Sequence, residues 1–213
     1  MKTLKIAALA ATASLVATSA LATAGEYYGR LDAGYAMSTP KAYLNKSEEF
    51  KSKANGFAGN VGVGYYYTDN VRMDVNFNFT VGSKKKITES TNGTDTGFKF
   101  KANTYTGLIN GYYDFTGMQV VPYVTAGFGF QGVNAKISGT NTAGQTATSK
   151  IKGKAAFAYQ LGLGAAYEVT SGVMLDVGYR FTGNTFSKGK ADGNLYLKPG
   201  YTNTILVGAR MSF

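Results

Sequence analysis

The sequence contains no histidine, no cysteine and no tryptophan. Without histidine there is no usual general base for a serine nucleophile and no ordinary proton shuttle near neutral pH. Without histidine and cysteine, structural metal sites built from those ligands are excluded. Disulfides are ruled out as well, and a chain of 213 residues does not need them to hold a core. A further absence is positional: beyond residue 24 no apolar run is long enough for a helix to span a bilayer. If the mature chain crosses a membrane, it must do so as a closed barrel of strands.

What is present begins with a leader. Lys2 and Lys5 precede a small-residue apolar run from Ile6 to Ala17, and "ALATAG" follows shortly after. This pattern predicts a cleaved secretory signal peptide over 1–24, cut between Ala24 and Gly25, with a single domain over 25–213. The run is short and studded with Thr and Ser, which argues against a spanning helix. The chain carries 22 Lys and Arg against 12 Asp and Glu, a formal charge of +10. Basic proteins often bind nucleic acid or anionic surfaces, but an exported chain meets little nucleic acid, so none is expected as a partner.

The stretch "VRMDVNFNFTV", Val71 to Val81, alternates apolar and polar residues, the signature of a strand with two unlike faces. The same reading gives eight strands, at about 26–38, 56–67, 71–81, 98–115, 119–130, 155–169, 173–182 and 201–213. Three connections are short, around Asp69-Asn70, Thr116-Gly117-Met118 and Thr170-Ser171-Gly172. They alternate with four long polar connections, 39–55, 82–97, 131–154 and 183–200. Short turns at one end and long loops at the other predict an all-β fold, an eight-stranded antiparallel transmembrane up-and-down β-barrel. In strand 98–115, Phe98 and Phe100 lie on one parity while Ile109, Tyr113 and Phe115 lie on the other. A bulge there, or a strand extending beyond the membrane, is expected.

The polar faces decide which side is which. They carry Arg30, Asp32, Asn60, Arg72, Asp74, Asn76, Asn78, Asn110, Asp114, Gln160, Glu168, Asp176, Arg180 and Arg210, interleaved with glycine and free of lysine. A face in bulk water would be rich in Lys and Glu. All four arginines of the chain lie on this face, and arginine's planar fork suits confined, multiply bonded pairs. The polar face is therefore read as the lumen and the apolar face as the lipid side. Because eight strands leave room only for side chains, Arg30, Asp32, Arg72, Asp74, Asp114, Glu168, Asp176, Arg180 and Arg210 are expected to form a self-satisfied charge network, with a narrow charged pore as the alternative.

The combination of leader, strand pattern, "LINGYYDF" turning into "VVPYVTAGFGF", "LGLGAAYEVTSGVMLDVGYRF" and a close at "ILVGARMSF" resembles the opacity-protein and OmpA-like surface barrels of Gram-negative bacteria. The likeness is especially close to small surface-antigen adhesins of intracellular alphaproteobacteria and covers essentially the whole mature chain. It implies insertion by the outer-membrane assembly machinery, which reads the last strand; Ala209, Met211 and the terminal Phe213 match that signal. It also implies that loops, not the wall, bind host molecules. The enzymes known among such barrels rely on histidine, so no enzymatic activity and no cofactor are expected. Asp74 and Asp114 could be neighbours in the lumen, but with Arg72 beside them structural pairing is the expectation.

Two nucleotide-type patterns are set aside. "GFGFQG", Gly127 to Gly132, is not followed by the helix that a dinucleotide site needs, and its glycines are read as making room in the lumen. "GTNTAGQT" has Gln145 where a phosphate loop requires lysine.

Lysines crowd the long connections, and Lys84, Lys85, Lys86, Lys150, Lys152 and Lys154 are the candidate partner-binding residues. Gathered at one end, they create a field that attracts acidic partners. The third connection, low in aromatics and rich in Thr, Ser, Gly and Asn, is expected to be mobile until a partner orders it. The expected partners are outer-membrane lipid and lipopolysaccharide, the insertion machinery, and a host surface protein or acidic glycan. The expected function is that of an outer-membrane surface adhesin or antigen. The alternatives are a small pore for ions or solutes and a purely structural barrel.

Overall fold

The computed structural model describes residues 24–44, 48–51, 54–82, 85–91, 94–140, 146–152, 155–185 and 195–213, with side-chain environments for 24–39, 55–82, 103–134, 155–185 and 200–213. The expected leader, Ala24 apart, lies outside the described residues, as do Lys84 and Lys154. The strands are β1 (Tyr27–Leu44), β2 (Glu48–Lys51), β3 (Ala54–Tyr66), β4 (Val71–Gly82), β5 (Lys85–Thr91), β6 (Thr94–Asp114), β7 (Val120–Thr140), β8 (Thr146–Lys152), β9 (Ala156–Thr170), β10 (Val173–Asn184) and β11 (Leu195–Ser212).

Eight of these close into a barrel. β3, β4, β6, β7, β9, β10 and β11 pair antiparallel in that order, and β1 joins β11 to β3. In β4, Val75 lies between Val63 of β3 and Ile109 of β6, so the expected strand sits in the middle of a continuous wall. Closure leaves the barrel wall no free edge, and its backbone polar groups pair within the sheet.

The strands run past the barrel wall into the long connections, where β2, β5 and β8 pair back on them. β6 and β7 keep one register from Asp114↔Tyr123 to Gly97↔Thr140, with no bulge. The parity change at Phe98 and Phe100 therefore marks a strand that outruns its barrel partner: β4 ends its pairing at Val81↔Asn103, and β5 pairs with β6 from Lys85↔Phe100 onward. The third connection, expected to be mobile, carries β8, whose "TATSKIK" alternates and returns along β7. Its short-period alternation outweighs a composition poor in aromatics.

The short connections are built by local bonds. The Thr68 hydroxyl accepts from the amides of Asn70 and Val71 at 3.3 and 2.9 Å. The Asn70 side-chain amide donates to the Asp114 carbonyl and to Thr116 Oγ1, tying this turn to the next. Gly117 and Gly172 hold φ of 92° and 73°, the left-handed region where a side chain is strained. Both ends of the described chain close here as well, with Phe213 N donating to Tyr27 O and Gly25 N to Tyr66 O.

Burial follows the alternation. In β4 the pattern begins exposed-buried-exposed-buried, with Val71, Met73, Val75 and Phe77 outward and Arg72, Asp74 and Asn76 inward. The outward set is apolar all round the wall, including Leu31, Val63, Leu163 and Val207. An apolar surface this continuous is stable facing acyl chains, not water. Val75→Arg, in the middle of this wall, is expected to cost about 2–4 kcal/mol in urea unfolding from lipid vesicles, while Tyr27→Arg, at the rim, costs about 0–1 kcal/mol. Equal costs at both positions would contradict the lipid assignment.

Candidate functional site: the barrel lumen

The strands bring most of the expected lumen residues into one layer. The Arg30 guanidinium grips Asp32 through Nε at 2.9 Å and Nη2 at 3.1 Å, and its Nη1 donates to the Tyr112 hydroxyl at 2.9 Å. Asp74 and Asp176 lie 3.6 and 3.9 Å from the same guanidinium. Arg72, with no exposed surface, grips Asp114 through Nε at 2.8 Å and Nη2 at 3.2 Å and donates through Nη1 to Tyr28 at 3.0 Å. Asp32 also accepts from Asn60, and Asp74 accepts from Asn76 and Asn110. Asn110 in turn accepts from Gln160. These bonds offset the desolvation that a buried ion otherwise suffers.

The remaining expected residues stand at the margins of this layer. Arg210 approaches Asp114 at 3.7 Å and donates to Met174 Sδ, and its Nε and Nη1 have no hydrogen-bond partner among the described residues. Arg180 bonds the Tyr123 hydroxyl and the carbonyls of Tyr179 and Leu163, reaching Asp176 only through Tyr123. Glu168 is half-buried beside the register shift between Val173 and Met174 and makes no ion pair among the described residues. It keeps the inward parity of Ala166 but faces Met174, not an arginine, across the strand pair, and so stands outside the network in which the sequence reading put it. Asp74 and Asp114 sit on adjacent strands but face different arginines, Asp114 being held by Arg72.

Four tyrosines complete the layer and were missed. Tyr28, Tyr66, Tyr112 and Tyr123 are buried in the lumen. The Arg72 guanidinium lies 3.8 Å from the centre of the Tyr112 ring and 5.2 Å from that of Tyr123, so cation and ring stack in the buried interior. The signal was available: in the pairs Tyr27-Tyr28, Tyr65-Tyr66 and Tyr112-Tyr113, period two sends one ring to each face. Glycine makes the space for them. A side chain on Gly64 would collide with the Tyr28 ring, and one on Gly164 with the Tyr123 ring. Gly127, from the set-aside "GFGFQG", lies as closely against the Asn110 amide.

The partner-binding and terminal residues fall elsewhere. Lys85 and Lys86 lie in β5, and Lys150 and Lys152 in β8. Ala209 and Met211 share the outward parity of β11, and Phe213 is exposed at its end. Among the described residues no group of three or more His, Cys, Asp and Glu is placed to hold a metal ion.

A closed eight-stranded wall with an apolar exterior and a charged, side-chain-filled interior defines an outer-membrane barrel. The chain belongs to the outer membrane protein beta-barrel domain family, whose profile matches residues 6–213. It is 33% identical over 197 residues to a Rickettsia typhi protein named "Putative adhesin", covering 87% of this chain and 86% of that one. A Rickettsia bellii protein of the same name is 32% identical over 209 residues, covering 91% and 88%. Among solved structures, Neisserial surface protein A is similar in fold, with a TM-score of 0.54 at 22% identity over 88% of this chain and 97% of that one.

Removing one partner of a buried pair leaves the other charge uncompensated, whereas replacing both by apolar residues does not. Arg72→Met is expected to destabilise the barrel by about 3–5 kcal/mol, and the double variant Arg72→Met/Asp114→Leu to recover most of that loss. A double-mutant cycle in urea, on protein refolded into lipid vesicles, measures both. Additive losses would show that the pair is not coupled.

Proposed function

We propose that this protein is a non-enzymatic surface adhesin whose long connections are extracellular and whose mature ends and short turns face the periplasm. A cleaved leader over 1–24 and recognition of Ala209, Met211 and Phe213 by the insertion machinery belong to the same reading. The names of the Rickettsia relatives support it at the level of role. The observation that carries it in this chain is the register of the lysines. Lys86 lies opposite Lys99, and Lys101 opposite Lys136, which lies opposite Lys150.

Lys99 and Lys101 share one face of β6, so these five positions fall on one face of the sheet formed by β5, β6, β7 and β8. Like charges directly opposite one another destabilise a sheet. A bound polyanion reverses the sign of that effect, which favours an acidic glycan or an acidic protein surface as partner, together with the anionic groups of lipopolysaccharide. The buried Arg30, Arg72 and Tyr112 layer supports adhesion over passage of ions.

The test is binding of the refolded protein to host-cell surfaces, with Lys86, Lys99, Lys101, Lys136 and Lys150 changed to Gln in the variant. Saturable binding that falls at least tenfold in the variant and weakens with salt is the expected outcome. Binding unchanged by the substitutions would reject the lysine face. Absence of saturable binding by the native chain would reject adhesion, and steady conductance across a planar bilayer would then favour the pore.

A further inference from the structure

The charge layer does not fill the whole lumen. Toward the long connections lies a small space walled by Asn78, Thr106, Gln131, Gln160, Arg180 and Thr204 among others. Arg180 is the one charged residue on that wall. The three arginines Arg30, Arg72 and Arg180 are alike in burial, each no more than 4% exposed, but differ in what they grip. In Arg30 and Arg72 the Nε–Nη2 edge holds a carboxylate with two bonds. In Arg180, among the described residues, no carboxylate is within ion-pair distance and Nε makes no hydrogen bond, while Nη1 bonds the carbonyls of Leu163 and Tyr179 and Nη2 the Tyr123 hydroxyl at 3.1 Å.

A guanidinium edge that faces a polar space without its carboxylate is complementary to an oxygen anion from solution. The surroundings fit. Thr204 lies opposite Arg180 in register on β11. Thr106 Oγ1 accepts from Gln131 at 3.2 Å, so its own hydrogen is left to donate. Low dielectric in the lumen strengthens each of these bonds.

We propose that this space binds a tetrahedral oxyanion, phosphate or sulfate, held by the Arg180 Nε–Nη2 edge with the Thr106 and Thr204 hydroxyls. The anion enters from the long-connection end, either free or as the terminal group of a glycan or lipid head. The site depends on wall residues alone and is independent of the lysine face.

The experiment uses the full mature chain refolded in detergent free of phosphate and sulfate, with the arginine Nε–H signals followed by NMR. Inorganic phosphate is titrated in, with chloride at matched ionic strength as the control. The expected result is a saturable shift of the Arg180 Nε–H signal, with the Arg30 and Arg72 signals unmoved because Asp32 and Asp114 already occupy their edges. Arg180→Gln is expected to weaken phosphate binding at least tenfold in calorimetry. Thr204→Asp, which supplies a carboxylate opposite Arg180, is expected to weaken it equally while retaining the Arg180 signal, so the test survives if the first variant does not fold. Tighter binding of glucose 1-phosphate than of inorganic phosphate would support the site and assign it to a conjugated anion; equal binding would support it and assign it to a free one. No saturable Arg180 shift, an equal effect of chloride, or undiminished affinity in Thr204→Asp would overturn the proposal.

Discussion

The constraint on which the rest depends is that a strand crossing lipid must satisfy all of its polar groups internally. Closure of the wall satisfies the backbone. It also turns one face of every strand into a lumen too narrow for bulk water, so polar side chains there must find partners among themselves. The Arg30–Asp32 and Arg72–Asp114 pairs are the result, each an arginine fork closed by one aspartate across two bonds.

Those pairs in turn fix the smaller residues around them. Asp32, Asp74 and Asp114 can be buried because Asn60, Asn110 and Arg72 supply the donors that water would otherwise provide. Tyr28, Tyr112 and Tyr123 fill the remaining space with rings that also stack on Arg72. Rings of that size fit only because Gly64 and Gly164 present no side chain to them. Where the aspartates stop, toward the long connections, the interior loosens into the threonine-lined space at Arg180. The same wall thus has one half bonded through ion pairs and another lined mainly by threonine and amide side chains.

Period two in "VRMDVNFNFTV" and its counterparts was enough to read the barrel, its strand count and the sidedness of the wall strands other than 98–115, where the parity is split, because lipid and lumen impose opposite demands on alternate residues. The pairing of particular residues was not legible. Arg72 and Asp114 are separated by 42 positions, and their contact depends on register and on rotamers that alternation does not encode. Glu168 read as a lumen acid from parity, and it keeps that parity, but its partner in register is Met174 and it makes no ion pair among the described residues. The inward tyrosines were not read, although the Tyr-Tyr pairs carried the signal, because attention went to the charged and amide residues of the polar face. The strands of the long connections were concealed because they are short, four or seven residues, and dominated by Lys, Glu, Thr and Ser.

The central claim is that odd positions of β4 face acyl chains while even positions face the charge layer. Transfer of magnetisation from lipid chains to protein, measured by NMR in a bilayer with side chains from Val71 to Val81 resolved, tests it directly. The account predicts strong transfer to Met73, Val75 and Phe77 and none to Arg72, Asp74 and Asn76. Transfer of equal strength to both sets, or the reverse pattern, would contradict it.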